Sequence, residues 1–300
     1  MTLAADAGRP FGRVLTAMIA PMRPDGALDL DGAAALATYL VDEQGNDGLV
    51  INGTGGEAPT LTDAEKEAIL RVAVEAVGDR AHIVAGVGTF DTRHTIELAQ
   101  SAEKAGATGL LVVTPYYNRP PQSGLLRHFT AVADATGLPA LLYDIPVRAG
   151  VPIKTDTLLR LAEHERIVGI KDAKGSLTET SEVLRRTDLA CYSGDDALTL
   201  PVLSVGGVGV IGTSTHFVGG PTKELILAFE RGDVAEARRL HQRLLPLYTG
   251  IFRTQGTILV KAGLGLRGLP SGPVRSPLVD ATEEQIEQLR ADAADAGLSL

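Results

Sequence analysis

The feature of this 300-residue chain that most restricts its fold is an alternation repeated eight times: a short apolar run, a polar or glycine-rich break, then a stretch with helical spacing. The runs fall at 13–19, 48–51, 82–87, 109–113, 138–143, 167–170, 189–192 and 208–211. Ile167, Val168, Gly169 and Ile170 show no polar alternation, as expected of a strand buried on both faces of a parallel sheet. Helical spacing follows at 28–43, 62–77, 92–105, 124–135, 155–162, 177–186, 197–205 and 222–229, with Thr62 and Glu65 as a capping-box pair and Asp91 as a cap. The length admits two modest domains, an open doubly wound sheet or one barrel, and eight βα units favour the closed (β/α)8 TIM barrel. Three further helical stretches, 234–247, 254–264 and 283–294, exceed one closing helix. The chain therefore divides into a loose leader over 1–12, a barrel over 13–232 and a small C-terminal helical domain over 233–300.

Composition narrows the partners. An aromatic share of 4% with no Trp predicts an aliphatic core, and a formal net charge of -9 opposes binding to nucleic acid. The single cysteine, Cys191, rules out an internal disulfide and a Cys-based zinc site, and reads as a buried strand residue. The six histidines, at 82, 94, 128, 164, 216 and 241, lack metal-binding spacing, so no metal site is expected. GVGVIG at 207–212 has a dinucleotide-like glycine pattern, but it runs through the eighth strand instead of linking strand to helix. No signal-peptide pattern opens the chain, and no stretch nears the roughly 20 apolar residues of a spanning helix. A soluble cytoplasmic protein is the expectation.

Residues just after each barrel strand share one rim, where ligands bind. That rim would hold Thr54, Tyr116, Tyr117, Tyr143, Arg148, Lys171, Asp195 and Asp196. Lys171 ends the sixth apolar run, and partial burial beside Ile170 and Ala173 would make its amine a nucleophile for a ketone. Lys174 reads as an ordinary solvated lysine. Tyr143, Tyr117 and Thr54 offer hydroxyls that can move protons through carbinolamine and imine. Arg148 offers a fork for a carboxylate, and the glycines of GTGGE at 53–57 offer backbone N–H groups to an anion. Singly, each has a plainer reading as a core tyrosine, a solvated charge or a tight turn. Gathered on one rim, they make a candidate site.

Five motifs stand in order: GTGGE at 53–57, TPYYNRPP at 114–121, LYDIPVR at 142–148, GIKDAKG at 169–175 and SGDD at 193–196. They resemble the dihydrodipicolinate synthase family of pyruvate-dependent class I aldolases, whose superfamily also contains N-acetylneuraminate lyase. The resemblance covers residues 11–300 and implies that Lys171 forms an imine with pyruvate. It implies that Tyr143 carries protons, linked to Thr54 and to Tyr117, with Tyr117 reaching into a neighbouring subunit's site. Gly53 and Gly55 would hold pyruvate's carboxylate, Arg148 the carboxylate of aspartate semialdehyde, and Ile211 would line the floor. The enamine would attack the aldehyde, and the substrate amine would displace Lys171 as the ring closes, a step of lysine and diaminopimelate biosynthesis. No metal or organic cofactor is implied, and a homotetramer of tight dimers is.

One departure matters. The family motif is Gly-Thr-Thr-Gly-Glu, and Gly55 stands in place of the second threonine. The lost hydroxyl would cost about 1.5 to 3 kcal/mol of pyruvate binding unless a water replaces it. Two alternatives follow: a related aldolase or lyase acting on another aldehyde or 2-keto acid, and a non-catalytic barrel that binds a keto acid or a protein. Asp63, Lys66, Phe90 and His94 stand where lysine-inhibited members carry effector ligands, so feedback inhibition by lysine is not expected.

Overall fold

A computed structural model describes residues 8–300. Among these, eight parallel strands close into a barrel in sequence order: β1 (Val14–Ala17), β2 (Gly48–Ile51), β3 (His82–Gly86), β4 (Gly109–Val113), β5 (Ala140–Asp144), β6 (Ile167–Asp172), β7 (Ala190–Ser193) and β8 (Gly209–Gly212). The ring shuts where β8 pairs with β1, Ile211 standing opposite Leu15. Around it run α1 (Leu30–Thr38), α2 (Asp63–Val77), α3 (Thr92–Lys104), α4 (Gln122–Asp134), α5 (Pro146–Ala149), α6 (Thr155–Leu161), α7 (Leu177–Arg186), α8 (Thr199–Ser204) and α9 (Thr215–Glu230). The C-terminal region adds α10 (Val234–Gly250), α11 (Gly256–Leu266) and α12 (Glu283–Asp295). This is the (β/α)8 barrel with C-terminal helices that the alternation predicts. No helix of the described residues is long and apolar enough to cross a membrane.

Side-chain alternation along each strand separates two cores. Leu15, Val50, Val84, Leu111, Leu141, Tyr192 and Ile211 fill the inside of the barrel. Leu49, Ile83, Leu110, Leu142, Ile170 and Cys191 face outward and pack under the helices. Both faces are therefore apolar, which is why the strand sequences lack alternation. The helix starts follow the capping chemistry: Thr62 and Glu65 form the full capping box, and the Asp91 side chain accepts from Arg93 N–H.

Three local features depart from the periodicity. The helix expected over 222–229 begins earlier, as α9, because a kink at Val218 (φ -130, ψ 31) lets Pro221 sit inside it. The first helix ends in a wider π turn over Tyr39–Glu43. The DIPVR stretch that follows the fifth apolar run contains α5, a single turn with Pro146 first and left-handed Gly150 after it.

The first seven residues of the expected leader lie outside the described residues. Gly8 is exposed, but residues 9–12 are half-buried or buried. Phe11 is buried in the inner core, its N–H donates to Tyr192 Oη at 3.2 Å, and that hydroxyl donates to Gly12 O at 3.0 Å. Gly109 makes room for it, since a Cβ there would stand 2.3 Å from Phe11 Cζ. Phe11 thus plugs the end of the barrel at which the strands begin. Phe11→Ala should lower unfolding stability by about 3 to 5 kcal/mol, measured by denaturant titration; a loss under about 1 kcal/mol would mean that this segment packs only loosely.

Candidate active site

β5 and β6 pair with Tyr143 opposite Lys171 and Asp144 opposite Asp172. With a side-chain period of two, this register turns Tyr143 and Lys171 into the barrel together and Asp144 and Asp172 out together. Lys171 is only 5% exposed, and its Nζ lies 4.3 Å from the centroid of the Tyr143 ring, over its face. Among the described residues no hydrogen bond or ion pair holds this amine. A cavity of about 390 Å³ opens above them, lined by Gly53, Thr54, Gly55, Tyr143, Arg148 and Lys171.

The 53–57 loop is seated by backbone geometry and by the far end of the chain. Asn52 (φ 62) and Glu57 (φ 54) hold left-handed conformations at its two ends. Between them Gly55 passes so close to β1 that a Cβ would stand 2.6 Å from Ala17 O, so the loop as seated admits only glycine. Thr257 Oγ1 donates to Gly55 O at 3.0 Å. Glu57 is buried against Lys261, Nζ to Oε1 2.5 Å, and its other oxygen accepts from Arg275 N–H at 2.7 Å. Burial pushes the Lys261 ammonium down from its ordinary range, with Glu57 opposing that shift. Two residues of α11, Thr257 and Lys261, therefore anchor the loop.

The cavity gathers most of the sequence-predicted residues. Arg148, on α5, lines it. Ile211 is 1% exposed on β8 and belongs to the inner core cluster that includes Tyr143. Asp195 lines the cavity and caps the short turn that follows, accepting from Ala197 N–H. Tyr116 lines an adjoining cavity of about 250 Å³ whose wall shares Thr54, Tyr143 and Arg148, and burial pushes its phenol up.

Tyr117 is not brought in: it is 92% exposed, at φ 70, and lines neither cavity. Among the described residues no hydrogen bond joins the hydroxyls of Thr54, Tyr143 and Tyr117. Asp196, expected on the rim, is instead buried beneath it, where it accepts from Thr213 N–H, Ser214 N–H and the Ser214 hydroxyl. Its role is to satisfy the amide groups that open α9. Lys174, expected in solvent, is also a correction. Its side chain is 5% exposed and its ammonium meets Glu179 Oε2 at 2.9 Å and Asp144 Oδ2 at 3.5 Å. The aspartates that follow Tyr143 and Lys171 were the available signal, because outward carboxylates on buried strands require a cation or donors.

Sequence reasoning also missed the contribution of the C-terminal helices. Tyr248, Thr249, Phe252 and Gln255 line the cavity, and Gln255 caps α11 through its side chain. Nothing in their spacing places them over the barrel mouth. Elsewhere, Asp63 is tied to His94 at 2.9 Å and to Lys66 at 3.2 Å, and Phe90 sits edge-on to Tyr116. No cluster of three metal-ligating side chains occurs among the described residues.

Residues 10–296 match the family model described as the dihydrodipicolinate synthetase family. The chain belongs to this family. A relative named 4-hydroxy-tetrahydrodipicolinate synthase from Acidothermus cellulolyticus is 67% identical over 97% of the chain and 94% of its own length. Another, from Streptomyces coelicolor, is 60% identical over 97% of both chains. Among solved structures, the dihydrodipicolinate synthase of Cyanidioschyzon merolae, crystallised with lysine bound, superposes with a TM-score of 0.94 at 42% identity, covering 96% of this chain and 99% of that one.

In this family member the Glu57–Lys261 pair predicts a testable coupling. Lys261→Met leaves a carboxylate buried without its cation, so unfolding stability should fall by about 3 to 5 kcal/mol, read from the denaturant midpoint. Substituting both partners with apolar residues should recover much of that loss; a double variant as unstable as the single one would contradict the pairing.

Proposed function

We propose that the chain is a 4-hydroxy-tetrahydrodipicolinate synthase, condensing pyruvate with L-aspartate 4-semialdehyde through an imine on Lys171. The observation that carries this reading is the Lys171 amine, buried at the strand ends over the Tyr143 ring and open to the cavity. A ketone that reaches the neutral amine adds to form a carbinolamine, and loss of water gives the imine. Removing a proton from the methyl group then gives an enamine, which attacks the aldehyde carbon. The amine of the semialdehyde displaces Lys171 as the ring closes, so one water is released and the lysine is regenerated.

Proton transfers in this scheme fall to Tyr143, whose ring touches the amine, with Thr54 beside it on the cavity wall. Gly53 and Gly55 present backbone to the pyruvate carboxylate, Arg148 takes the carboxylate of the semialdehyde, and Ile211 supports the floor. The exposure of Tyr117 supports a site shared between subunits, in a homotetramer built from dimers whose tyrosines complete one another's relay. Operation in the cytoplasm and indifference to feedback by lysine complete the reading.

Borohydride reduction with pyruvate should add one pyruvate-derived mass to Lys171, and Lys171→Ala should abolish it; an intact lysine after treatment would refute the imine. Arg148→Ala should raise the KM for aspartate semialdehyde about tenfold to a hundredfold, as loss of a hydrogen bond to a charged group does, while pyruvate trapping stays unchanged. Gly55 sustains a second reading, a related aldolase with another partner. A panel of aldehydes and 2-keto acids in which a different pair turns over faster would favour it.

A further inference from the structure

Behind the inward pair Tyr143 and Lys171 lies an outward pair, Asp144 and Asp172, at matched register on adjacent strands. Both are buried, 0% and 6% exposed, so two carboxylates face the helix layer side by side with little water. Asp172 is satisfied, accepting from Lys174 N–H at 2.9 Å and from the Thr180 hydroxyl at 2.7 Å. Asp144 is not. One oxygen accepts from Ile153 N–H at 3.1 Å and stands 3.5 Å from Lys174 Nζ, while Oδ1 has no hydrogen-bond partner. The Lys174 ammonium also meets Glu179 of α7 and donates to Ile153 O at 3.5 Å. It thereby ties β5, β6, α7 and the segment after α5 to one point.

We propose that Lys174 is a positioning residue for the reaction at Lys171: its ammonium offsets the repulsion between Asp144 and Asp172 and so fixes the strand ends that carry Tyr143 and Lys171. This rests on the imine reading for Lys171. The residues it acts through are the immediate chain neighbours of the two that carry the reacting groups. Asp144 follows Tyr143 directly, and Ala173 N–H donates to Asp144 O at 2.9 Å, joining the end of β5 to the residue between Asp172 and Lys174. Displacing the ammonium lets the two carboxylates move apart, and the phenol and amine on the same residue pairs move with them.

The groups that face Asp144 are Lys174, from the loop after β6, and Asp172 on β6, with Glu179 of α7 beyond the ammonium and the Cys191 thiol of β7 near Asp172. Burial raises the Asp144 carboxyl to about 7, with the Asp172 charge adding to the rise and Lys174 opposing it. As pH falls through that value, Asp144 takes up a proton, its repulsion of Asp172 ends, and the ammonium is no longer needed to offset it. The deficit of a variant without Lys174 is therefore greatest at alkaline pH and shrinks as pH falls.

The test compares wild type, Lys174→Met, Lys174→Arg and Lys174→Met with Asp144→Asn, by pyruvate–borohydride trapping rate and by kcat against pH. Lys174→Met should trap at least tenfold more slowly at alkaline pH, and that deficit should shrink as pH falls. Lys174→Arg should restore the trapping rate to within about threefold of wild type. The double variant, which lacks the repelling charge, should recover most of the rate and lose this pH dependence. If Lys174→Met is folded yet matches wild type in rate, or its deficit does not shrink as pH falls, the inference is overturned. Should that variant fail to fold, the double variant decides: it should fold and trap within about threefold of wild type, and a double variant that fails to do so overturns the inference. Absence of any adduct in wild type would sink the imine reading itself, a separate outcome.

Discussion

The arrangement depends above all on the pairing register between β5 and β6. Parallel strands with apolar residues on both faces can slip without an obvious penalty in hydrophobic pattern, so register must be fixed by their polar residues. Here a slip of β6 by one position against β5 would turn Asp172 into the barrel and carry Lys171 out under the helices, away from Tyr143. The observed register instead places an amine and a phenol at the mouth and two carboxylates on the outer face, where α7 supplies Thr180 and Glu179 and the loop after β6 supplies the Lys174 ammonium. Polar residues at the strand ends thus specify the alignment that the apolar residues leave open, and the site follows from that alignment.

A second dependence runs from one end of the chain to the other. The 53–57 loop belongs to the second βα unit, but Thr257, Lys261 and Arg275 hold it in place. Each contact involves a group that would be costly to leave alone: a carbonyl beside the cavity, a buried carboxylate and a buried ammonium. The C-terminal helices are therefore part of the site's support, and they form one wall of its cavity. Gly55 fits the same picture. Its lack of a side chain lets the loop close on Ala17 O, and Thr257 adds a hydroxyl bonded to the loop backbone from the opposite side.

Most of the barrel was legible because each βα unit is a local statement: an apolar run with no alternation, a break and a periodic stretch, all within some forty residues. The ends of β2 to β8 fall within two residues of the apolar runs for the same reason. Lys171, Tyr143, Thr54 and Arg148 were legible as a group because closure of a barrel places strand ends together whatever their separation in sequence. The remainder depends on contacts that spacing does not encode. Phe11 looks like part of a loose leader until Gly109 and Tyr192 are seen to receive it. Lys174 differs from a solvated lysine through Asp144 and Ile153, earlier in the chain, and Glu179 after it. Asp196 shares its motif with Asp195, yet the turn between them sends one carboxylate to the cavity and the other under it. Tyr117 lines neither cavity, a placement that a single chain's geometry can report and its periodicity cannot.

The plug made by Phe11 has a chemical consequence of its own. With that end stoppered by an aromatic ring and its neighbouring hydroxyl, the barrel is a blind well, and everything that enters or leaves shares one doorway. Two molecules that react within it must therefore pass through in turn, and anything released has to leave by the route the next arrival takes inward. Succession is thus written into the dead end itself, without any moving part to enforce it.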